Sequence, residues 1–176
     1  MKTNRIFIVG YMGAGKTTTS KRLANKLGWD WLDTDTAIEE QQHKSVEDIF
    51  KEFGEERFRA LESEMLKQTE SRNGIVVSTG GGTPCYNDNM EWMNAHGFTI
   101  FIQVSPESAI NRIVNSKRHR PLLDGKTPDE LKEFVRAHYE LRLPFYQKAQ
   151  MCIKGESLNV DDIIAMMELH ENHCQE

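Results

Sequence analysis

Ile6-Phe7-Ile8-Val9-Gly10-Tyr11-Met12-Gly13-Ala14-Gly15-Lys16-Thr17 runs from an unbroken apolar stretch into a glycine-rich turn that ends on a lysine and a hydroxyl. The residues from Gly10 onward fit G-x-x-x-x-G-K-S/T, the phosphate-binding loop, and the pattern Lys16-Thr17-Thr18-Thr19 that follows opens a helix. Glycines let the backbone wrap an anion closely. Main-chain N–H groups of Gly13, Ala14, Gly15, Lys16, Thr17 and Thr18, together with the positive end of the helix, then face the phosphates. Lys16 supplies a charge for the β- and γ-phosphates, and Thr17 a hydroxyl placed for Mg²⁺.

Outward from this loop, short apolar runs alternate with longer helical patterns, which predicts an α/β fold. Strands are expected over 5–9, 30–33, 75–79, 98–104 and 150–153. Ile75-Val76-Val77 and Ile100-Phe101-Ile102 are solidly apolar, like the first strand, as parallel strands covered on both faces should be. Helices are expected over 16–27, with Gly28 as a left-handed stop, and over 55–71, 106–115, 128–142 and 160–170. In the second of these Phe58, Leu61, Met65 and Leu66 form one apolar face. Residues 115–126 are polar, basic and broken by Pro and Gly, and are expected to form a mobile excursion from the core.

The 176 residues suit one domain, and 38% apolar with 28% charged residues is the composition of a globular chain. Lys plus Arg is 22 against 27 for Asp plus Glu, a formal charge of −5, which argues against a surface that grips nucleic acid or anionic lipid. No apolar run approaches the ~20 residues that span a bilayer. The three cysteines, Cys85, Cys152 and Cys174, are scattered and odd in number, in keeping with reduced thiols and a cytoplasmic protein.

Several nucleotide-binding classes drop out. A GTPase would carry D-x-x-G and N-K-x-D; neither is present, since Asn25-Lys26-Leu27-Gly28 lacks the final acid. A motor or transporter ATPase needs more chain. A small kinase remains.

The acceptor side is expected at the carboxyl edge of the sheet, where ligands of open α/β folds collect. The second strand runs into Asp33-Thr34-Asp35, and two acids so spaced on a strand point the same way, toward the phosphates. Alternatively these residues simply start a helix, Thr36-Ala37-Ile38-Glu39 having the form of a capping box. Arg59 and Glu62 share a helical face. Gly80-Gly81-Gly82 follow the third strand and strip side chains from a strand end, as close approach to a small molecule requires. Arg120, in Arg120-Pro121-Leu122-Leu123, reads as a loop cation closing over a triphosphate, and Arg142-Leu143-Pro144-Phe145-Tyr146 ends a helix.

In this order and spacing, the phosphate loop, Asp33-Thr34-Asp35, Phe58-Arg59 with Glu62, Gly80-Gly81-Gly82, Arg120-Pro121-Leu122-Leu123 and Arg142-x-Pro-Phe-Tyr146 resemble the shikimate kinase family over nearly the whole chain. The resemblance implies a three-layer, nucleoside-monophosphate-kinase-like fold with a five-stranded parallel sheet flanked by helices. It also implies a substrate-binding region over 34–71 and a lid over 115–126. It further implies ATP and shikimate as substrates, Mg²⁺ as cofactor and a monomer. By this likeness Arg59 and Arg142 hold the acceptor's carboxylate, Asp35 and Gly80 to Gly82 its hydroxyls, and Asp33 and Thr17 organise Mg²⁺. Lys16 and Arg120 stabilise the phosphates, Arg112 lies against adenine, Glu62 orients Arg59, and Val46, Phe50 and Phe58 wall the ring. Thr17 stands where many relatives have Ser, and residues 154–159 lack the proline expected beside adenine. A kinase for another small acceptor, such as gluconate or a nucleoside monophosphate, and a non-catalytic ATP-binding protein are the alternatives.

Overall fold

A computed structural model describes residues 4–116, 123, 125–155 and 159–173. Its five strands, β1 (Arg5–Val9), β2 (Asp30–Asp33), β3 (Ile75–Ser78), β4 (Phe98–Gln103) and β5 (Met151–Lys154), form one parallel sheet in the order β2-β3-β1-β4-β5. β1 is central, with Phe7 opposite Val77 on one side and Thr99 on the other. Ile6 to Val9, Ile75 to Val77 and Ile100 to Ile102 are buried, which is why these runs are apolar without alternation. At ~1.5–3 kcal/mol for each large apolar side chain removed from water, these strands contribute much of the folding drive.

Seven α-helices among the described residues flank the sheet: α1 (Lys16–Leu27), α2 (Thr34–Gln42), α3 (Val46–Gln68), α4 (Asn89–His96), α5 (Pro106–Val114), α6 (Pro128–Tyr146) and α7 (Val160–His173). α1 covers β2 and β3 and meets α7, α4 lies on β4, and α5 packs beside α6. α1 ends where predicted, Gly28 adopting φ 67° and closing the helix through bonds to Ala24 and Asn25. A second, smaller apolar cluster of Ile38, Ile49, Phe58, Leu61 and Met65 joins α2 to α3.

Four features differ from the sequence-based expectation. The strand reading of Asp33-Thr34-Asp35 fails: β2 stops at Asp33, which caps α2, and Asp35 sits in the first helical turn. The capping alternative is the one observed, with Asp33 rather than Thr36 as the cap. The helix expected from residue 55 is the second half of α3, whose first half begins at a Ser45 cap and is broken at Gly54 (φ 78°, ψ 175°). α4 was not expected; it is only eight residues long, and its apolar residues, Met90, Trp92 and Met93, are poorly segregated onto one face. Finally, α6 runs through Pro144 to Tyr146 instead of stopping at Arg142. A proline removes one helical hydrogen bond and crowds the preceding turn, but burial of Tyr146 against Phe101 holds the last turn in place.

Candidate active site

The phosphate loop follows β1, Asp33 ends β2 and Gly80 to Gly82 follow β3, so these site residues meet at the carboxyl ends of three neighbouring strands. Gly15 occupies the N-cap of α1 in the left-handed region (φ 95°, ψ 16°), a conformation that only glycine adopts at little cost, and no side chain caps the helix there. The first N–H groups of α1 are thereby left to an anion. Lys16 folds back along the loop, its Nζ donating to the carbonyls of Gly10 (2.8 Å) and Tyr11 (3.1 Å). Arg112, from α5, donates to the loop carbonyls of Gly13 (3.2 Å) and Ala14 (3.1 Å) and to Gly155 beyond β5 (3.0 Å). It therefore ties the outer rim of the loop to the segment expected beside the base.

Thr17 and Asp33 meet as expected. Thr17 Oγ1 donates to Asp33 Oδ2 at 2.9 Å, and Ser78, at the end of β3, brings a second hydroxyl to 3.5 Å from Thr17. This all-oxygen set suits a hard divalent cation. Ser78 was missed in the sequence, although a polar residue ending an apolar strand at the ligand edge is the available signal.

The acceptor side is built around the glycine turn. A Cβ at Gly80 would lie 2.6 Å from Glu62 Oε1, 2.8 Å from Asp35 Oδ1 and 2.9 Å from Thr83 Oγ1. A Cβ at Gly82 would lie 2.8 Å from Arg59 Cζ, and one at Gly81 would be 3.7 Å from Arg142 Nη1 and 3.4 Å from the backbone nitrogen of Met12. The turn is thus bare because carboxylates, two guanidinium groups and the phosphate loop all crowd it. Its position is fixed by Gly80 N–H donating to Thr34 Oγ1 (2.9 Å) and by the Tyr146 phenol donating to the Gly81 carbonyl (2.6 Å).

Arg59 and Arg142 are each 7% exposed. Arg59 Nη1 donates to Glu62 Oε2 at 2.7 Å, and Thr83 donates to the other oxygen of Glu62. Burial works against the charge of Arg59, but the Glu62 carboxylate and the hydrogen bonds that Arg59 donates to Glu62 and Glu55 outweigh it and raise its pKa. Burial raises the pKa of Glu62 itself, opposed by Arg59 and Thr83. The Arg59 guanidinium lies over Tyr86 (4.3 Å), Phe58 (5.6 Å) and Phe50 (5.8 Å), so Tyr86 joins the two expected aromatic residues beside this cation. The neighbouring Cys85 thiol is pushed up to about 11, chiefly by burial, and is not a thiolate near neutral pH.

One contact between the two halves was not foreseen. The buried Tyr11 of the phosphate loop hydrogen-bonds His138 Nδ1 at 2.9 Å, one turn before Arg142 on α6. Burial first, then the charges of Arg142 and Arg59, lowers His138 to about 4. Arg120 and its neighbours 117–122, expected in the lid, lie outside the described residues, as do 156–158 near the expected base site.

A phosphate loop after the central strand of a five-stranded parallel sheet, next to a glycine turn flanked by acids and buried guanidinium groups, makes this a P-loop kinase. The shikimate kinase family model matches residues 12–169. The chain belongs to the shikimate kinase family. A shikimate kinase from Bacteroides thetaiotaomicron is 47% identical over 154 residues, spanning 88% of each chain. A crystal structure of shikimate kinase from that organism superposes with a TM-score of 0.89 at 42% identity, covering 94% of this chain and 99% of the other. Shikimate kinase from Acinetobacter baumannii, solved in complex with shikimate, gives 0.83 at 30% identity over 99% and 96% of the two chains.

Proposed function

We propose that this chain transfers the γ-phosphoryl group of ATP to the 3-hydroxyl of shikimate, giving shikimate 3-phosphate and ADP in the route to aromatic amino acids. The observation that carries the reading is the pair of buried cations, Arg59 from α3 and Arg142 from α6, set against Gly82 and Gly81 within reach of the phosphate loop. Two planar guanidinium groups from separate helices fix a carboxylate by paired hydrogen bonds, which selects an acidic acceptor over a neutral sugar. Family membership supports the same choice.

In this reading Arg59 and Arg142 orient the acceptor's carboxylate, while Asp35 and the Gly80 to Gly82 backbone hold its hydroxyls. The acceptor oxygen forms its bond to the γ-phosphorus as the bond to the β,γ-bridging oxygen breaks, and the hydroxyl proton leaves toward Asp35. Positioning and electrostatic stabilisation by Lys16, Arg120 and the N–H groups of Gly13 to Thr18 supply most of the rate. Thr17 and Asp33, with Ser78 alongside, would hold Mg²⁺, which neutralises phosphate charge when bound. Arg112 borders the adenine. Residues 34–71 form the acceptor-binding region and 115–126 the lid of a single kinase unit, which we take to act as a cytoplasmic monomer. No described helix is long and apolar enough to cross a membrane.

ADP release measured over shikimate, gluconate and nucleoside monophosphates tests this. Turnover of shikimate alone, reduced to background in Lys16→Ala, is the expected result. Turnover of gluconate or a nucleotide in place of shikimate would overturn it, and equal rates in wild type and Lys16→Ala would point to an inert ATP-binding protein.

A further inference from the structure

Arg59 has five N–H donors, and its partners divide them unequally. Nη1 is bound to Glu62, whereas Nε (3.1 Å) and Nη2 (2.9 Å) both donate to a single oxygen, Oε1 of Glu55. The Tyr86 phenol donates to that same oxygen at 3.1 Å. The two carboxylates are not equivalent. The Glu62 side chain is 1% exposed and further held by Thr83, so it is a fixed part of the wall. The Glu55 side chain is 54% exposed and enters water by simple rotation.

Glu55 thus presents to the Nε/Nη2 fork the chemical group that a carboxylic acid acceptor would present. Glu62 supplies the main counter-charge of Arg59, and Glu55 accepts from the Nε and Nη2 donors that Glu62 does not reach, which would be costly to bury unpaired. The hydrogen bond from Arg59 lowers the Glu55 pKa, with Tyr86 and the charge of Arg142 adding to the effect, and Glu55 is therefore an anion throughout the neutral range. Asp35 also acts on Glu62 electrostatically. Withdrawal of Glu55 takes one negative charge away from Arg59 and Arg142, which lowers the repulsion toward an incoming anion.

Resting on the assignment of Arg59 to the acceptor's carboxylate, we propose that Glu55 is a surrogate ligand of the clamp. It occupies the Nε/Nη2 fork of Arg59 in the free enzyme, yields the fork to the acceptor, and so sets acceptor affinity by competition. The residue leaves kcat and nucleotide binding alone, because it touches neither the reacting atoms nor the phosphate loop.

Steady-state kinetics of Glu55→Gln with shikimate and ATP test the proposal by sign. Removing the competing charge lowers the KM for shikimate by about three- to tenfold, with kcat and the KM for ATP within about twofold of wild type. Tyr86→Phe keeps the ring over Arg59 and deletes only the hydrogen bond to Glu55, so it lowers the shikimate KM in the same direction by less. A raised or unchanged shikimate KM in Glu55→Gln would overturn the proposal, since a residue that merely steadies Arg59 weakens binding when lost. Should Glu55→Gln fail to fold, the direction of the Tyr86→Phe change decides alone. A wild type that turns over shikimate while Glu55→Gln shows no gain sinks this inference only; a wild type that ignores shikimate sinks the acceptor assignment and this inference with it.

Discussion

Asp33 divides its two carboxylate oxygens between two tasks: Oδ2 accepts the Thr17 hydroxyl at 2.9 Å, and Oδ1 accepts the backbone N–H of Thr36 at 3.4 Å. One residue therefore caps α2 and lines the proposed metal position. Asn is as good an N-cap as Asp but turns a neutral amide toward Thr17. Asp33→Asn is expected to raise the Mg²⁺ concentration for half-maximal turnover by about tenfold or more while the urea midpoint stays near wild type. Asp33→Ala loses the cap as well, about 1 kcal/mol of stability. A Mg²⁺ requirement unchanged in Asp33→Asn would remove Asp33 from the metal site.

Gly82 has an ordinary helical backbone (φ −90°, ψ −23°), so alanine there carries no conformational strain. Its methyl group would instead press on the Arg59 guanidinium, 2.8 Å from Cζ. Gly82→Ala should raise the shikimate KM by about tenfold to a hundredfold through displacement of Arg59, with ATP binding preserved. An unaltered shikimate KM would show that Arg59 does not contact the acceptor.

Removing Arg59 strands Glu62, whose side chain is 1% exposed. Arg59→Ala is expected to cost about 3–5 kcal/mol of stability in urea denaturation as well as acceptor binding, because a buried carboxylate loses its counter-charge. Adding Glu62→Gln should recover part of the stability and none of the binding. Recovery of both would assign the defect to folding rather than to recognition.

His138 titrates at about 4 in the folded protein, against about 6.5 when exposed. Between these values the unfolded chain binds the extra proton, so stability rises with pH across the window. The contribution is complete above pH 6.5 and is lost as pH falls toward 4. His138→Gln, with no ionisable ring, should show a shallower fall in urea midpoint between pH 6.5 and 4.5 than wild type. Parallel profiles would mean that His138 is not held neutral.

The fold was readable because its governing features are local. Unbroken apolar runs announced β1, β3 and β4, and the loop at Gly10 to Thr17 fixed the junction of β1 with α1. What sequence spacing hid were features settled by partners far along the chain. Asp35 looks like a strand residue until Asp33 is seen to cap α2, and α6 looks finished at Pro144 until Tyr146 is seen buried under Gly81. The roles of Arg59, Arg142 and the glycine turn came from a motif series, and the structure brings them together. Glu55, Ser78 and the Tyr11–His138 contact had no signal of that kind. Each is a common polar residue that gains meaning only from a partner such as Arg59, Thr17 or the phosphate loop.

The strand order also bears on how the chain is made. β1 leaves the ribosome ahead of both strands it pairs with, and they are distant: Arg5 pairs with Ile75, and Ile6 with Phe98. A fully greasy segment must therefore wait, unpaired, until those residues have been synthesised. Sheets assembled from such remote segments close slowly. During that interval Ile6 to Val9 is the stretch most in need of shelter by a chaperone, and nascent chains halted before residue 75 should be the ones that aggregate.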